Sequence, residues 1–230
     1  MQNYDISDSL NVSHEWTTPI GNIDIILPDM MRKVLVSIVM RCGDVYECGM
    51  VGVEKPFNLF DYVNSPWKQH EVKYLQEFEK IVSKIIRAYV KKAWGIAEES
   101  AMTTRCWGNI QDTFDMRTLP HYHQRRYGWD GVLMHYLTVG DEFKFVDSPN
   151  TSNPTDYSGD LLLLDPRGSI KAPNDNKQIT IKPRIGTTIL HPAYLWHETH
   201  AHTQRGLRSA MIINFSIINE QHEAVLTKLI

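Results

Sequence analysis

From about residue 100 onward the chain is cut into short apolar or alternating runs separated by turn residues. That texture restricts the fold more than any other feature. The runs are GVLMHYLTV (131–139), LLLL (161–164), QITIK (178–182), GTTIL (186–190) and SAMIINFSI (209–217). Between them lie Pro149-Asn150, Asn153-Pro154, Pro173-Asn174-Asp175-Asn176 and Pro183. Several short strands with such punctuation indicate an antiparallel sandwich or barrel. The first third reads differently. Met30, Met31, Val34, Leu35, Ile38 and Val39 recur at helical spacing after Asp29 and stop before Gly43. A second helix is expected from Ser65 as cap and Pro66 as first residue, with Leu75, Phe78, Ile81, Val82, Ile85, Tyr89 and Val90 as its apolar stripe and Gly95 as its exit. The expected fold class is therefore α+β. It is one domain over 1–230, with a helical support in about 1–99 and the β core in about 100–218.

Charge and cysteine content narrow the function classes. The net charge is −3 and the isoelectric point about 6.4, so no basic footprint for nucleic acid or an anionic membrane is expected. The three cysteines, Cys42, Cys48 and Cys106, form neither a disulfide framework nor a CxxC zinc knuckle. No apolar run reaches the ~20 residues of a bilayer span, and the polar, acidic N-terminal segment has no leader pattern. A cytoplasmic location is the expectation.

Ten histidines are present, and seven of them fall between His121 and His202. Three pieces of sequence carry chemistry there: His121-Tyr122-His123; His197 in HPAYLWHETH; and Arg208 in QRGLRSAMIIN. On an extended segment an H-x-H pair places both imidazoles on one face, because strand side chains alternate with period two. A third histidine from a distant strand completes a facial set and leaves the opposite positions of a redox metal open. Taken singly, each piece is more often ordinary: a chance H-x-H, a packed histidine, a surface arginine. Their order and spacing carry the argument.

In these elements the sequence resembles the iron(II)- and 2-oxoglutarate-dependent oxygenases, and most of all a bacterial and phage group of them with an H-x-H motif. The matching elements are Trp107; His121-Tyr122-His123; Asp130-Gly131-Val132 leading to Tyr136; LLLLDPR from Leu161 to Arg167; Pro183, Gly186, Pro192, Leu195 and His197; and Arg208 to Asn214. The resemblance covers about residues 100–218 and implies a double-stranded β-helix (jelly-roll, cupin-like) core. It further implies iron(II) held by His121, His197 and His123. The family at large has a carboxylate at the third position, so water or a remote carboxylate such as Asp165 is an alternative third ligand, with Asp130 an outside candidate. The co-substrates implied are 2-oxoglutarate and O2. Arg208 would hold the distal carboxylate of 2-oxoglutarate, with Tyr136 and Asn214 beside it, and Ala210 stands where the family commonly has serine.

The implied activity is hydroxylation of a small-molecule or peptide substrate, with release of succinate and CO2. Two other readings compete: a cupin-like dioxygenase or isomerase that does not use 2-oxoglutarate, and a non-catalytic jelly-roll binding module. HETH lacks the HExxH zincin spacing. His135 is expected to point away from the barrel interior, His200 and His202 to lie solvated in a loop, and His191 to have no role. Tyr122, Tyr127, Trp129 and Trp196 flank the ligands, either as pocket wall or as core. Nothing in the sequence decides between a monomer and a homodimer paired through the N-terminal helices.

Overall fold

A computed structural model describes residues 6–15, 18–43, 58–63, 66–97, 99–111, 117–123, 128–140, 159–167, 178–202 and 206–218. Three helices, α1 (Ile6–Ser9), α2 (Asp29–Gly43) and α3 (Gln69–Trp94), accompany nine strands. The strands are β1 (Asn11–Glu15), β2 (Thr18–Asp24), β3 (Ala101–Gln111), β4 (Gly131–Gly140), β5 (Leu161–Leu164), β6 (Gln178–Ile181), β7 (Thr187–Pro192), β8 (His197–Thr199) and β9 (Leu207–Ile218). They form a six-stranded sheet in the order β1-β2-β7-β4-β9-β3 and a three-stranded sheet in the order β6-β5-β8. Every pairing is antiparallel. The α+β expectation therefore holds, and the five apolar runs become β4, β5, β6, β7 and β9.

The large sheet sorts its side chains by the period of two. Its outer face presents Cys106, Leu133, Leu137, Leu190, Leu207, Met211, Ile213 and Phe215 to one apolar cluster with α2 and α3. The inner face presents Val132, Met134, Tyr136, Ile189, Ala210 and Ile212, which pack with Leu161, Leu163 and Leu195. The helices thus roof one side of the sheet, and the small sheet closes the other. α2 lies directly on β3: a Cβ at Gly108 would stand 2.5 Å from Val39 Cγ1, so only a residue without one fits there.

Two features of the first third differ from the sequence reading. The region expected to be only helical also supplies β1 and β2, and β2 joins the large sheet through β7. Thr18-Pro19-Ile20-Gly21 carries a proline and a glycine, which mask the strand pattern. The second helix begins at Gln69 rather than at Pro66: Lys68 is still extended (ψ 154°), and the Glu71 carboxylate accepts its backbone N–H at 2.8 Å. This satisfies one of the donors that a helix start leaves open. The expected end holds, with Gly95 left-handed and its N–H bonded to the Lys91 carbonyl. Tyr89 ties α3 to the sheet by donating to the Pro19 carbonyl at 2.9 Å. Arg41 on α2 pairs with Glu71 on α3 at 2.6 Å.

His135 does face away from the interior, as expected, but not into solvent. It is 2% exposed. Its ring packs on Phe78 of α3 at 5.4 Å, and Nδ1 shares a hydrogen bond with Thr188 Oγ1 at 2.8 Å. Burial drives its pKa down to about 3. In the unfolded chain the same ring titrates near 6.5. Between those values the unfolded state holds the extra proton, so this group's contribution to stability is complete above pH 6.5 and is lost as pH falls toward 3. At pH 5 the loss is about 2 kcal/mol. Urea unfolding at pH 7.5 and pH 5 tests it: in His135→Asn the drop in stability between the two should be smaller than in the parent by about that amount, and an identical drop contradicts the assignment.

Candidate functional site

The three sequence-predicted histidines converge. His121 forms an isolated antiparallel bridge with His197. Its N–H reaches the His197 carbonyl at 3.0 Å, and the return bond is 2.9 Å. The His123 N–H bonds the Ala193 carbonyl at 3.0 Å, and the Thr199 N–H bonds the Thr118 carbonyl at 3.1 Å. The H-x-H segment is thereby zipped onto the segment that carries His197, which is in turn paired with Leu163 of β5. Ring centroids are 4.3 Å apart for His121 and His197, 5.2 Å for His123 and His197, and 5.5 Å for His121 and His123. One nitrogen from each lies within 4.8 Å of the others. His123 also stacks on Trp107 at 5.7 Å, which holds its ring from the β3 side.

Backbone carbonyls fix two of the tautomers. A carbonyl oxygen only accepts, so the ring nitrogen facing it carries the hydrogen. His121 Nδ1 donates to Leu119 at 2.8 Å and His197 Nδ1 to Leu195 at 3.1 Å. In the neutral ring each Nε2 then keeps its lone pair, the form a metal takes. Burial, with the neighbouring His191, His121 and His123, holds His197 well below the ordinary histidine range. The lone pairs of three imidazoles brought this close suit a divalent cation.

The predicted carboxylate alternatives lie elsewhere. Asp165 is bound to Arg167 through an Nη2–Oδ2 contact of 2.8 Å and also caps the Arg167 N–H. That pairing lowers its pKa. Asp130 accepts the Ile217 N–H at 2.8 Å. Neither belongs to the histidine group, and among the described residues that group contains no carboxylate.

Arg208 sits on β9 with Ala210, Ile212 and Asn214 on the inner face, as alternation demands. It is 2% exposed. Its Nε donates to the Gly159 carbonyl at 3.0 Å and Nη2 to Tyr136 Oη at 3.2 Å. The guanidinium also lies 4.9 Å from the centre of the Tyr136 ring. Gly159 is left-handed (φ 69°), and a Cβ there would meet Arg208 Cδ and Nε at 2.9 Å, so the chain touches the arginine where only glycine fits. Among the described residues Arg208 forms no ion pair. A guanidinium buried without a counter-ion is costly, and a carboxylate is its natural complement. The buried Asp160, just before β5, interacts electrostatically with Arg208. Burial raises its pKa against the pull of Lys182, His200 and Arg208, and its Oδ1 has no hydrogen-bond partner. The predicted Asn214 is also buried on the inner face with Oδ1 unbonded, but it stands beside Val132, six residues and about 20 Å of strand from Arg208.

Other sequence readings change. His202, expected in solvent, is 1% exposed and bonds the Gly206 carbonyl through Nε2. Tyr122 and Trp196 stack on each other at 4.8 Å but remain 39% and 44% exposed, so they are neither core nor an enclosed wall. Tyr127 lies outside the described residues, as do all but Gly140 of the Pro-, Asn-, Asp- and Ser-rich segments 140–157 and 168–177, which the sequence marks as loops at the barrel mouth. The sequence reading passed over His191. It is fully buried, its ring centroid is 4.8 Å from that of His197, and burial lowers its pKa to about 4. The signal was its parity with Ile189 at the end of an inward-facing run.

No protein-family model and no curated protein matches the chain. Solved structures match it in fold. A prolyl hydroxylase from Trichoplax adhaerens, in complex with a hypoxia inducible factor oxygen degradation domain peptide fragment, is 15% identical with a TM-score of 0.55, over 90% of this chain and 86% of that one. A Pseudomonas putida prolyl-4-hydroxylase is 11% identical with a TM-score of 0.52, over 87% and 93%. The non-heme alpha ketoglutarate dependent epimerase SnoN, from nogalamycin biosynthesis, is 12% identical with a TM-score of 0.53, over 86% and 76%. With its two antiparallel sheets closing on one interior, this chain has the double-stranded β-helix fold of these hydroxylase and epimerase structures.

Proposed function

We propose that the protein is an iron(II)- and 2-oxoglutarate-dependent dioxygenase that hydroxylates its substrate and releases succinate and CO2. The observation that carries this reading is the pairing on one inner surface of a three-histidine cluster with a buried arginine that forms no ion pair among the described residues. A histidine cluster by itself suits many metal enzymes, and a buried arginine by itself suits many anion sites. Together they match the two ends of a keto acid, one end for a metal and the other for a guanidinium.

His121, His123 and His197 would hold the metal. The fit rests on the donor set: three imidazoles within reach of one another, two with Nδ1 occupied by a carbonyl so that Nε2 is the ligand atom. Bound iron(II) supplies the activation of O2 that is coupled to oxidative decarboxylation of the keto acid. The chain's own residues bind, orient and shield. Arg208 offers its planar fork to the distal carboxylate. The Tyr136 hydroxyl accepts from Arg208 and has its own hydrogen to donate to the same carboxylate. Ala210, Met134 and Ile212 line the floor between the two ends and exclude water. A divalent ion on the imidazoles and the Arg208 guanidinium would each meet one anionic end of a dicarboxylate co-substrate. A cupin-like enzyme without 2-oxoglutarate has no use for Arg208 in this place.

Anaerobic titration of iron(II)-loaded protein with 2-oxoglutarate tests the reading. A weak visible charge-transfer band from the chelated keto acid should appear and saturate. Arg208→Ala should raise the 2-oxoglutarate dissociation constant at least tenfold, the loss of a charge-assisted pair, while leaving iron binding intact. Iron binding without any response to 2-oxoglutarate would select the cupin-like reading, and no iron binding the non-catalytic one.

The Gly159 contact generates a second expectation. Gly159→Ala places a Cβ against Arg208 and strains a left-handed residue, so it should cost about 1–3 kcal/mol in urea unfolding. It should also weaken 2-oxoglutarate binding without weakening iron binding. Unchanged 2-oxoglutarate affinity would mean that the Arg208 position does not matter.

A further inference from the structure

His191 is unexplained by any role above. It lies on β7 in the same inward row as Val132 of β4 and Asn214 of β9, next to the metal cluster and away from the Arg208 end. The ring is completely buried. Nδ1 donates to the Pro192 carbonyl at 2.9 Å, so Nε2 carries a lone pair, and that nitrogen is buried with no hydrogen-bond partner. An apolar residue of similar size would avoid this cost. The ring centroid is 4.8 Å from that of His197, tilted by 57°. Yet His191 does not belong to the set whose ligand atoms all approach within 4.8 Å.

These facts separate a ligand from a neighbour. A nitrogen outside the mutual reach of the other three does not share their ion, but an acceptor one shell further out can receive a hydrogen bond from a molecule that does. A water on a divalent cation is a stronger donor than bulk water, because the cation lowers its pKa. Among the described residues that cluster holds no carboxylate to accept the hydrogen. We infer that His191 is a positioning residue of the metal centre, whose Nε2 accepts a hydrogen bond from water held on the ion by His121, His123 and His197. The inference rests on the metal-site reading above. Partners one shell out from a metal are commonly worth 10–100-fold in metal affinity.

Cobalt(II) titration of the parent, His191→Phe and His191→Gln by visible absorption and calorimetry tests it. Phenylalanine keeps the volume and deletes the acceptor; glutamine keeps an acceptor oxygen. The apo His191→Phe protein should melt at or above the parent's temperature, since a buried unbonded nitrogen is gone. It should bind cobalt(II) 10–100-fold more weakly and with an altered spectrum, while His191→Gln stays nearer the parent. His191→Phe with the parent's affinity and spectrum overturns the inference and leaves the metal reading standing. Equal losses in both variants also overturn it, because they indicate packing rather than an acceptor. No cobalt(II) binding by the parent removes both.

Discussion

The site depends on one backbone interaction, the pair of hydrogen bonds that His121 and His197 exchange. The two residues are far apart in sequence, and each belongs to a short element with little stability of its own. The bridge fixes their register, and register is strict where alternation is strict. Slipping either strand by one residue would turn an imidazole away and replace it with Tyr122 or Trp196, whose rings now stack on the other side. The bond from His123 to the Ala193 carbonyl continues the same zipper, so main-chain pairing brings the three histidines together. Carbonyls of Leu119 and Leu195, two residues before His121 and His197, then choose the tautomers of those two rings. Backbone therefore sets both where the donors point and which nitrogen they offer.

The large sheet extends this logic. Its outer row is apolar and packs under α2 and α3, where His135 is kept neutral by burial. Its inner row is mixed, with an arginine at one end, apolar residues in the middle and His191 with Asn214 at the other. Polar groups confined to the two ends of an apolar floor make a site for an elongated ligand with different chemistry at each end. α2 and α3 pack on the outer face, and β2 adds Ile20 to the inner cluster. Among the described residues Arg208 stays buried against Gly159 and Tyr136 without an ion pair.

Much of this was legible in the sequence, for definite reasons. β4, β5, β6, β7 and β9 announced themselves because apolar runs bounded by Pro, Asn and Gly have few other solutions. His121, His123, His197 and Arg208 were found because their order resembles a known family. β2 was not, because Pro19 and Gly21 interrupt the alternation that a strand pattern needs. The start of α3 moved by three residues because the deciding contact is Glu71 capping Lys68, while Ser65 and Pro66 give a stronger local signal. The fates of His191 and His202 were hidden because burial near a strand end is set by what packs there from other elements. Asp165 looked eligible as a ligand until Arg167, two residues on, proved to be its partner.

The charge balance states the central claim in its simplest form. On the proposed reading His121, His123 and His197 hold a divalent ion while Arg208 holds the far carboxylate of its co-substrate. X-ray absorption at the iron edge, on anaerobic iron(II)-loaded protein before and after 2-oxoglutarate, reads this directly. The account predicts a first shell with three imidazole nitrogens, retained when 2-oxoglutarate adds two oxygens in place of water. A shell with fewer than two imidazoles, or one that does not change on adding 2-oxoglutarate, would contradict it.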